Sequence, residues 1–178
     1  MVAIHYSKIA AIILPMILNK QLDELSVLSR RYHKDAKKIV LATGVFDYLH
    51  KEHVKFLELA RKQGDVLFVG VETDDRVKQL KGEGRPLQSL EVRLNNLKKV
   101  AIVDEVFILP NNLINVEVQK QLMAAVRPSV YAVSSHSPFL NKKKKAVEQF
   151  GGKLIVVHQH NDQISTTKLI KEMNEKNV

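Results

Sequence analysis

Two histidines three residues apart, His50 and His53, follow a glycine-ended apolar run in the stretch TGVFDYLHKEHV, residues 43–54. At about 100° per residue, helical positions i and i+3 lie roughly 60° apart, so both rings face one ligand if a helix begins here. The N-terminus of a helix attracts anions through its unpaired N–H groups and its dipole. Imidazoles there donate hydrogen bonds to phosphate oxygens as negative charge builds up. The chemistry suited to the pair is therefore the holding of phosphate, although two surface histidines on an ordinary helix would show the same spacing. Glu52 lies between them, and an anion inside a phosphate site needs an explanation.

These residues need elements to position them. Short apolar runs end the segments KKIVLATG, VLFVGV (66–71), EVFIL (105–109), SVYAVS (129–134) and KLIVVH (153–158). Each reads as a buried strand. Amphipathic segments alternate with them and read as helices over 22–32, 50–63, 74–80, 89–100, 115–126 and 137–150, with a last one from Thr166. Asn115 caps one of these, and Ser137 with Pro138 is expected to start another. The expected class is α/β: a five-stranded parallel sheet with helices on both faces, in one domain. Ligands of such sheets bind outside the carboxyl ends of the strands. Asp47, His50 and His53 fall after the first strand there. Ser134, Ser135 and His136 follow the fourth. His158, His160, Ser165, Thr166 and Thr167 follow the fifth.

The 178 residues suffice for one domain with a real core. With 45% apolar and 26% charged residues the chain reads as soluble and globular. It has no cysteine, which excludes disulfides and cysteine-ligated metals. A net charge of +9 favours anionic partners. The basic run Lys142–Lys145 reads as a solvated helix face. Nucleic-acid binding would rest on charge alone, since aromatics make up 6% of the chain. Ile9–Leu18 is apolar but broken by Pro15, and it falls short of the ~20 residues of a spanning helix. Residues 1–21 are expected to form a docked or poorly ordered tail, with Met1 or Met16 as the start and 22–178 as the domain. A cytoplasmic protein is expected.

The segment GVFDYLHKEHVKFLELARKQGD resembles the GxFDxxHxGH signature of the cytidylyltransferase-like nucleotidyltransferases. The stretch VGVETDDRVKQLKGEGRPLQSLEVRLNNLKKVAIVDEVFIL is similar to the nucleotidyltransferase domain of bacterial ADP-heptose synthases, and ISTTKLI (164–170) to the family's Ser-Thr-Thr motif. The resemblance spans about residues 22–174. It implies a Rossmann-like fold and transfer of a nucleotidyl group from ATP or CTP to a small phosphorylated acceptor such as a sugar phosphate, releasing pyrophosphate. Mg²⁺ bridging the phosphates is the implied cofactor. The implied partners are the triphosphate and the acceptor, without nucleic acid or membrane, and with a homodimer left open. His50 and His53 would grip the triphosphate and stabilise the transition state. Gly44, Val45 and Phe46 would line the nucleotide site through their main chain, and Ser165, Thr166 and Thr167 would bind phosphate. Lys81 and Arg85, in a glycine-containing loop, read as a phosphate clamp. Arg93 is expected to project toward phosphate or to make a surface salt bridge, and His136 to contact phosphate or acceptor. Asp47 and Asp104 read as turn residues.

Two departures stand out. Glu52 replaces the glycine of HxGH, against which the family's nucleotide lies. It is about 200° around the helix from His50 and about 100° from His53. Its carboxylate is therefore expected to turn away from the phosphates, where it suits the dipole of a first helical turn. After the fourth strand, Val133-Ser134-Ser135-His136-Ser137 replaces the Lys-Gly-Gly-Asp-Tyr of heptose-type members, so a phosphate-binding lysine is missing. The arginine before Ser-Thr-Thr is also missing, and His158 and His160 stand in its place. Those two with His136 would also suit a zinc ion. A catalytically lapsed nucleotide-binding module is the rival reading to an enzyme.

Overall fold

Val40 and Ala42 alternate with Ile39 and Leu41 along the first strand, and all four are buried. A strand whose two faces are both apolar must be covered on both sides. The computed structural model describes residues 20–159 except 112 and 114, and it shows how this is done. Helix α1 (20–34) precedes β1 (Ile39–Gly44). Then come α2 (Lys51–Arg61), β2 (Val66–Val71), α3 (Asp74–Lys81), α4 (Leu90–Lys98) and β3 (Glu105–Ile108). The described chain ends with α5 (Val116–Val126), β4 (Val130–Ser134), α6 (Leu140–Glu148) and β5 (Lys153–His158). The five strands form one parallel sheet in the order β3-β2-β1-β4-β5.

Period-two alternation sorts the strand side chains into two cores. Ile39, Leu41, Phe68, Tyr131 and Val133 pack with Leu25 of α1, Leu122 and Met123 of α5 and Val147 of α6. Val40, Ala42, Leu67, Val69 and Ala132 pack with Phe56, Leu57 and Ala60 of α2 and Leu97 of α4. Helices thus cover both faces, and the α/β class, the Rossmann-like architecture and all five strands stand as read from sequence. Among the described residues no helix is long and apolar enough to cross a membrane.

The strand order places the functional crevice. The chain moves from β1 to β2 and β3 on one side, then returns to set β4 on the other. The loops after β1 and β4 therefore diverge at a topological switch point, which leaves a crevice open at the carboxyl edge. One sequence expectation fails beside it. Helix α6 begins at Leu140, with Phe139 as a left-handed N-cap (φ 59°), not at Ser137-Pro138. Ser137 instead sits in a turn, its N–H donating to Ser134 O at 3.0 Å, and its hydroxyl serves a lysine in place of the helix end.

The start of β5 is set by a backbone crossing. A Cβ on Gly152 would stand 2.1 Å from Pro128 O and 2.6 Å from a Val147 methyl. Gly152→Ala is expected to destabilise the protein by about 2 kcal/mol through forced backbone shifts, read as a lowered urea midpoint at unchanged m-value.

Candidate functional site

Gly44 ends β1, and the chain turns through Phe46 and Tyr48, both at positive φ (52° and 53°). Such backbone costs energy in non-glycine residues and needs external restraint. Asp47 supplies part of it. Its buried carboxylate accepts the Leu87 and Gln88 N–H groups, each at 3.0 Å, and pairs with Arg85 at 2.8 Å. Arg93 supplies the rest from α4. Its guanidinium donates to Val45 O at 2.7 Å, Gln88 O at 3.1 Å and Asp74 Oδ1 at 2.6 Å. The loop after β1 and the loop between α3 and α4 are thereby tied together.

The tie corrects the expected role of Arg93. It is completely buried and is absent from the cleft lining, so it does not project toward phosphate. The salt bridge foreseen as the alternative forms with the partly exposed Asp74 at the start of α3, from an arginine that is itself beneath the surface, and the other two guanidinium nitrogens of Arg93 serve the loops. Arg85 is likewise drawn onto Asp47, and it does not appear among the residues lining the crevice. Asp47 is a positioning residue, which its reading as a turn former foresaw only in part. Asp104 does act at a turn, accepting the Leu67 N–H at 2.7 Å.

The crevice is a cleft of about 600 Å³. Gly44, Val45, Phe46, His50 and His53 line it, as do Lys81 from the end of α3 and His136 from the β4–α6 loop. The structure therefore brings these sequence-selected residues together at one edge of the sheet. His50 is the N-cap of α2 and His53 lies in its first turn. Their rings stack with centroids 3.8 Å apart and planes 19° from parallel. Phe46 meets the His53 ring edge to face at 5.5 Å. The pair is thus held as one unit at a helix N-terminus. Ser165, Thr166, Thr167 and His160 lie outside the described residues.

Glu52 departs from expectation. Helix α2 starts at Lys51, and His50 before it is extended (φ −126°, ψ 171°), so the helical angle foreseen between His50 and Glu52 does not apply, and the carboxylate lines the same cleft. Oε2 lies 3.1 Å from Nε2 of His158 at the end of β5. A register shift between β4 and β5 at Val133/Ser134 sets Ser134 opposite His158, not Val157. Such irregularities re-aim side chains. Among the described residues no group of three or more His, Asp or Glu is placed to hold a metal.

Thr43, Glu72 and Lys143 complete the cleft, and sequence reasoning missed all three. Thr43 Oγ1 is 2.8 Å from the buried Tyr131 hydroxyl, whose pKa burial raises far above the usual phenol value. Burial raises the Glu72 carboxyl as well, and the positive charges of Arg76, Lys143 and Arg93 oppose it. The signal for Lys143 was present: it stands three and four residues before Ala146 and Val147, the buried positions of α6, and so on the inward stripe.

Asp47→Ala would leave two amide donors and Arg85 without their acceptor. The expected outcome is a stability loss of about 3 kcal/mol, with hydrogen exchange at Leu87 and Gln88 accelerated by at least about tenfold. Unchanged protection of these two amides would show that the loop is held by other contacts.

Comparison with known proteins agrees with this architecture. The cytidylyltransferase-like family pattern matches residues 41–172. Bifunctional protein HldE of Desulfatibacillum aliphaticivorans is 32% identical over 155 residues, which is 86% of this chain and 30% of that protein. HldE of Shigella sonnei is 34% identical over 154 residues, 86% of this chain and 31% of that protein. The chain thus spans about a third of the length of these relatives. A crystal structure of the lipopolysaccharide core biosynthesis protein from Thermoplasma volcanium superposes with a TM-score of 0.56 at 21% identity, covering 70% of this chain and 97% of that one. A likeness at that identity concerns the fold. With the family pattern covering most of its length and stacked histidines at the carboxyl edge of its sheet, the chain belongs to the cytidylyltransferase-like family.

Proposed function

We propose that the chain is a nucleotidyltransferase, carrying a nucleotidyl group from ATP or CTP to a small phosphorylated acceptor with release of pyrophosphate. The similarity to HldE proteins supports this, and the resemblance to ADP-heptose synthases favours ATP and a sugar phosphate. The observation that carries the reading is the stacked His50–His53 pair at the start of α2, facing a cleft large enough for a nucleotide. A phosphate oxygen of the acceptor attacks the α-phosphorus, and the bond to the pyrophosphate oxygen breaks. No protein nucleophile is required. Catalysis is positioning and charge stabilisation. His50 and His53 donate hydrogen bonds to the oxygens that gain charge, with help from the N–H groups of α2. Main-chain groups of Gly44, Val45 and Phe46 bound the nucleotide side, and Lys81 stands at the exposed rim of the cleft. His136, also exposed, extends the polar wall toward the acceptor. Ser165, Thr166 and Thr167 complete the phosphate site in this reading.

Magnesium is bound by one or two carboxylates together with phosphate oxygens and water. Glu72 fits that need, because its Oε2 is buried at the cleft without a hydrogen-bond partner among the described residues. The ion would neutralise charge on the triphosphate. We place the protein in the cytoplasm.

The second reading, a nucleotide-binding module without turnover, is favoured by the Glu52–His158 pair in the cleft wall. A pyrophosphate-release screen of phosphorylated sugars and alcohols against all four nucleoside triphosphates separates the two. Release with at least one pair supports the enzyme. Nucleotide binding by calorimetry with no release from any pair supports the lapsed module.

Two substitutions test the roles. His53→Ala is expected to lower kcat by about 10²–10³ with KM changed only a few-fold, because its donor acts on charge that appears in the transition state. A rise in KM at constant kcat would contradict that role. Glu52→Gly removes an anion and its bulk from the cleft and releases His158. A nonhydrolysable triphosphate should then bind about tenfold more tightly, with a helix-propensity loss of ~1 kcal/mol in stability. Affinity within a few-fold of wild type, with and without Mg²⁺, would show that the carboxylate stays clear of the nucleotide.

A further inference from the structure

Three of the four consecutive lysines on α6 are exposed, as a solvated face requires, but Lys143 is turned inward. Its Nζ donates to Ser137 Oγ at 2.7 Å and lies 5.6 Å from the centroid of the Tyr131 ring. Lys143 lines both the nucleotide cleft and an adjoining recess, which share Glu72, Leu80 and Pro138. The rest of the recess includes the apolar side chains of Leu113, Leu122 and Met123. A cation has therefore been brought to the junction of two cavities and held there by a neutral hydroxyl and a ring face.

That placement is costly for an ammonium group. Burial lowers the Lys143 pKa to about 8, although the nearby Glu72 carboxylate raises it. The titratable groups facing the same space are Asp47 of the loop after β1, His50, Glu52 and His53 at the start of α2, Glu72 after β2, Arg76 and Lys81 of α3, Tyr131 of β4, His136 of the following loop and His158 of β5. Helix α5 contributes uncharged side chains, Gln119, Leu122 and Met123. A partly desolvated cation beside a phosphate-sized space gains most from an arriving anion.

We propose that Lys143 binds a phosphate group of the reactants at the junction of the cleft and the recess. The inference rests on the nucleotidyl-transfer reading and adds a residue to it. In the transfer step the acceptor oxygen bonds to the α-phosphorus as the bond to pyrophosphate breaks. Lys143 keeps its proton throughout and offsets charge on the bound oxygens. The phosphate has two sources, the triphosphate or the acceptor, and a separate probe reports on each.

The test is calorimetric titration of the full chain with α,β-methylene ATP and, separately, with inorganic phosphate, at pH 7.5 and pH 9. Wild type, Lys143→Arg and Lys143→Met are compared. The sign follows from the lowered pKa: the ammonium is charged below about 8 and lost above it, so wild-type affinity should fall about tenfold across this interval. Lys143→Arg, which stays charged, should bind with little pH dependence. Lys143→Met should bind about tenfold more weakly at pH 7.5 and lose the pH dependence. A loss confined to the methylene analogue assigns Lys143 to the triphosphate, and one confined to inorganic phosphate assigns it to the acceptor. Either result supports the proposal. Lys143→Met binding both probes like wild type, with the pH dependence intact, overturns it. Wild type binding neither probe overturns this inference and the nucleotidyl-transfer reading together.

Discussion

The buried carboxylate of Asp47 is the contact on which the site depends. The loop after β1 must pass two non-glycine residues at positive φ before the chain enters α2. Left alone, that backbone would relax into commoner conformations. Asp47 ties it to two main-chain amides and to Arg85 across the cleft rim, and Arg93 holds the carbonyl of Val45 from beneath. Charge-assisted bonds to buried groups are stronger than neutral ones, and each partner here would be left unsatisfied without the other. The tie fixes where α2 begins, which fixes where the two imidazoles stand.

Elsewhere in the cleft two carboxylates face nitrogen-bearing side chains. Glu52 meets His158, and Glu72 lies in the field of Lys143 and Arg76. A cleft made for phosphate would be expected to show a surplus of cations, and this one carries carboxylates among them. Glu72 suits a cation travelling with the phosphates. Glu52 does not have that explanation, because its carboxylate is occupied by His158. It replaces the bare backbone of a glycine with a side chain held in place by a strand on the opposite wall.

How far the sequence speaks depends on the range of the interaction that decides each feature. The five strands and their helices were legible because apolar alternation and helical spacing are local signals that burial enforces. The grouping of His50, His53 and His136 followed from the rule that loops at the carboxyl ends of parallel strands share one edge, and Lys81 was picked out by its glycine-containing loop. Arg93 was misread because its partners, Val45, Gln88 and Asp74, lie 48, 5 and 19 residues away. An arginine on a helix looks the same in sequence whether it faces water or holds a loop from below.

By itself, then, the sequence determined the α/β class, the strands and helices, the placing of His50 and His53 at the start of α2 and the family, because each of these rests on spacing within segments and on their order along the chain. Tertiary structure decided which further side chains share the cleft. Glu52 faces it because the register of β5 against β4 brings His158 within reach. Lys143 faces it because α6 begins three residues later than its Ser-Pro signal suggests and leaves the Ser137 hydroxyl free to receive the lysine. Both outcomes turn on where one element starts or pairs against its neighbour, which is settled by packing between elements and not by spacing within one of them.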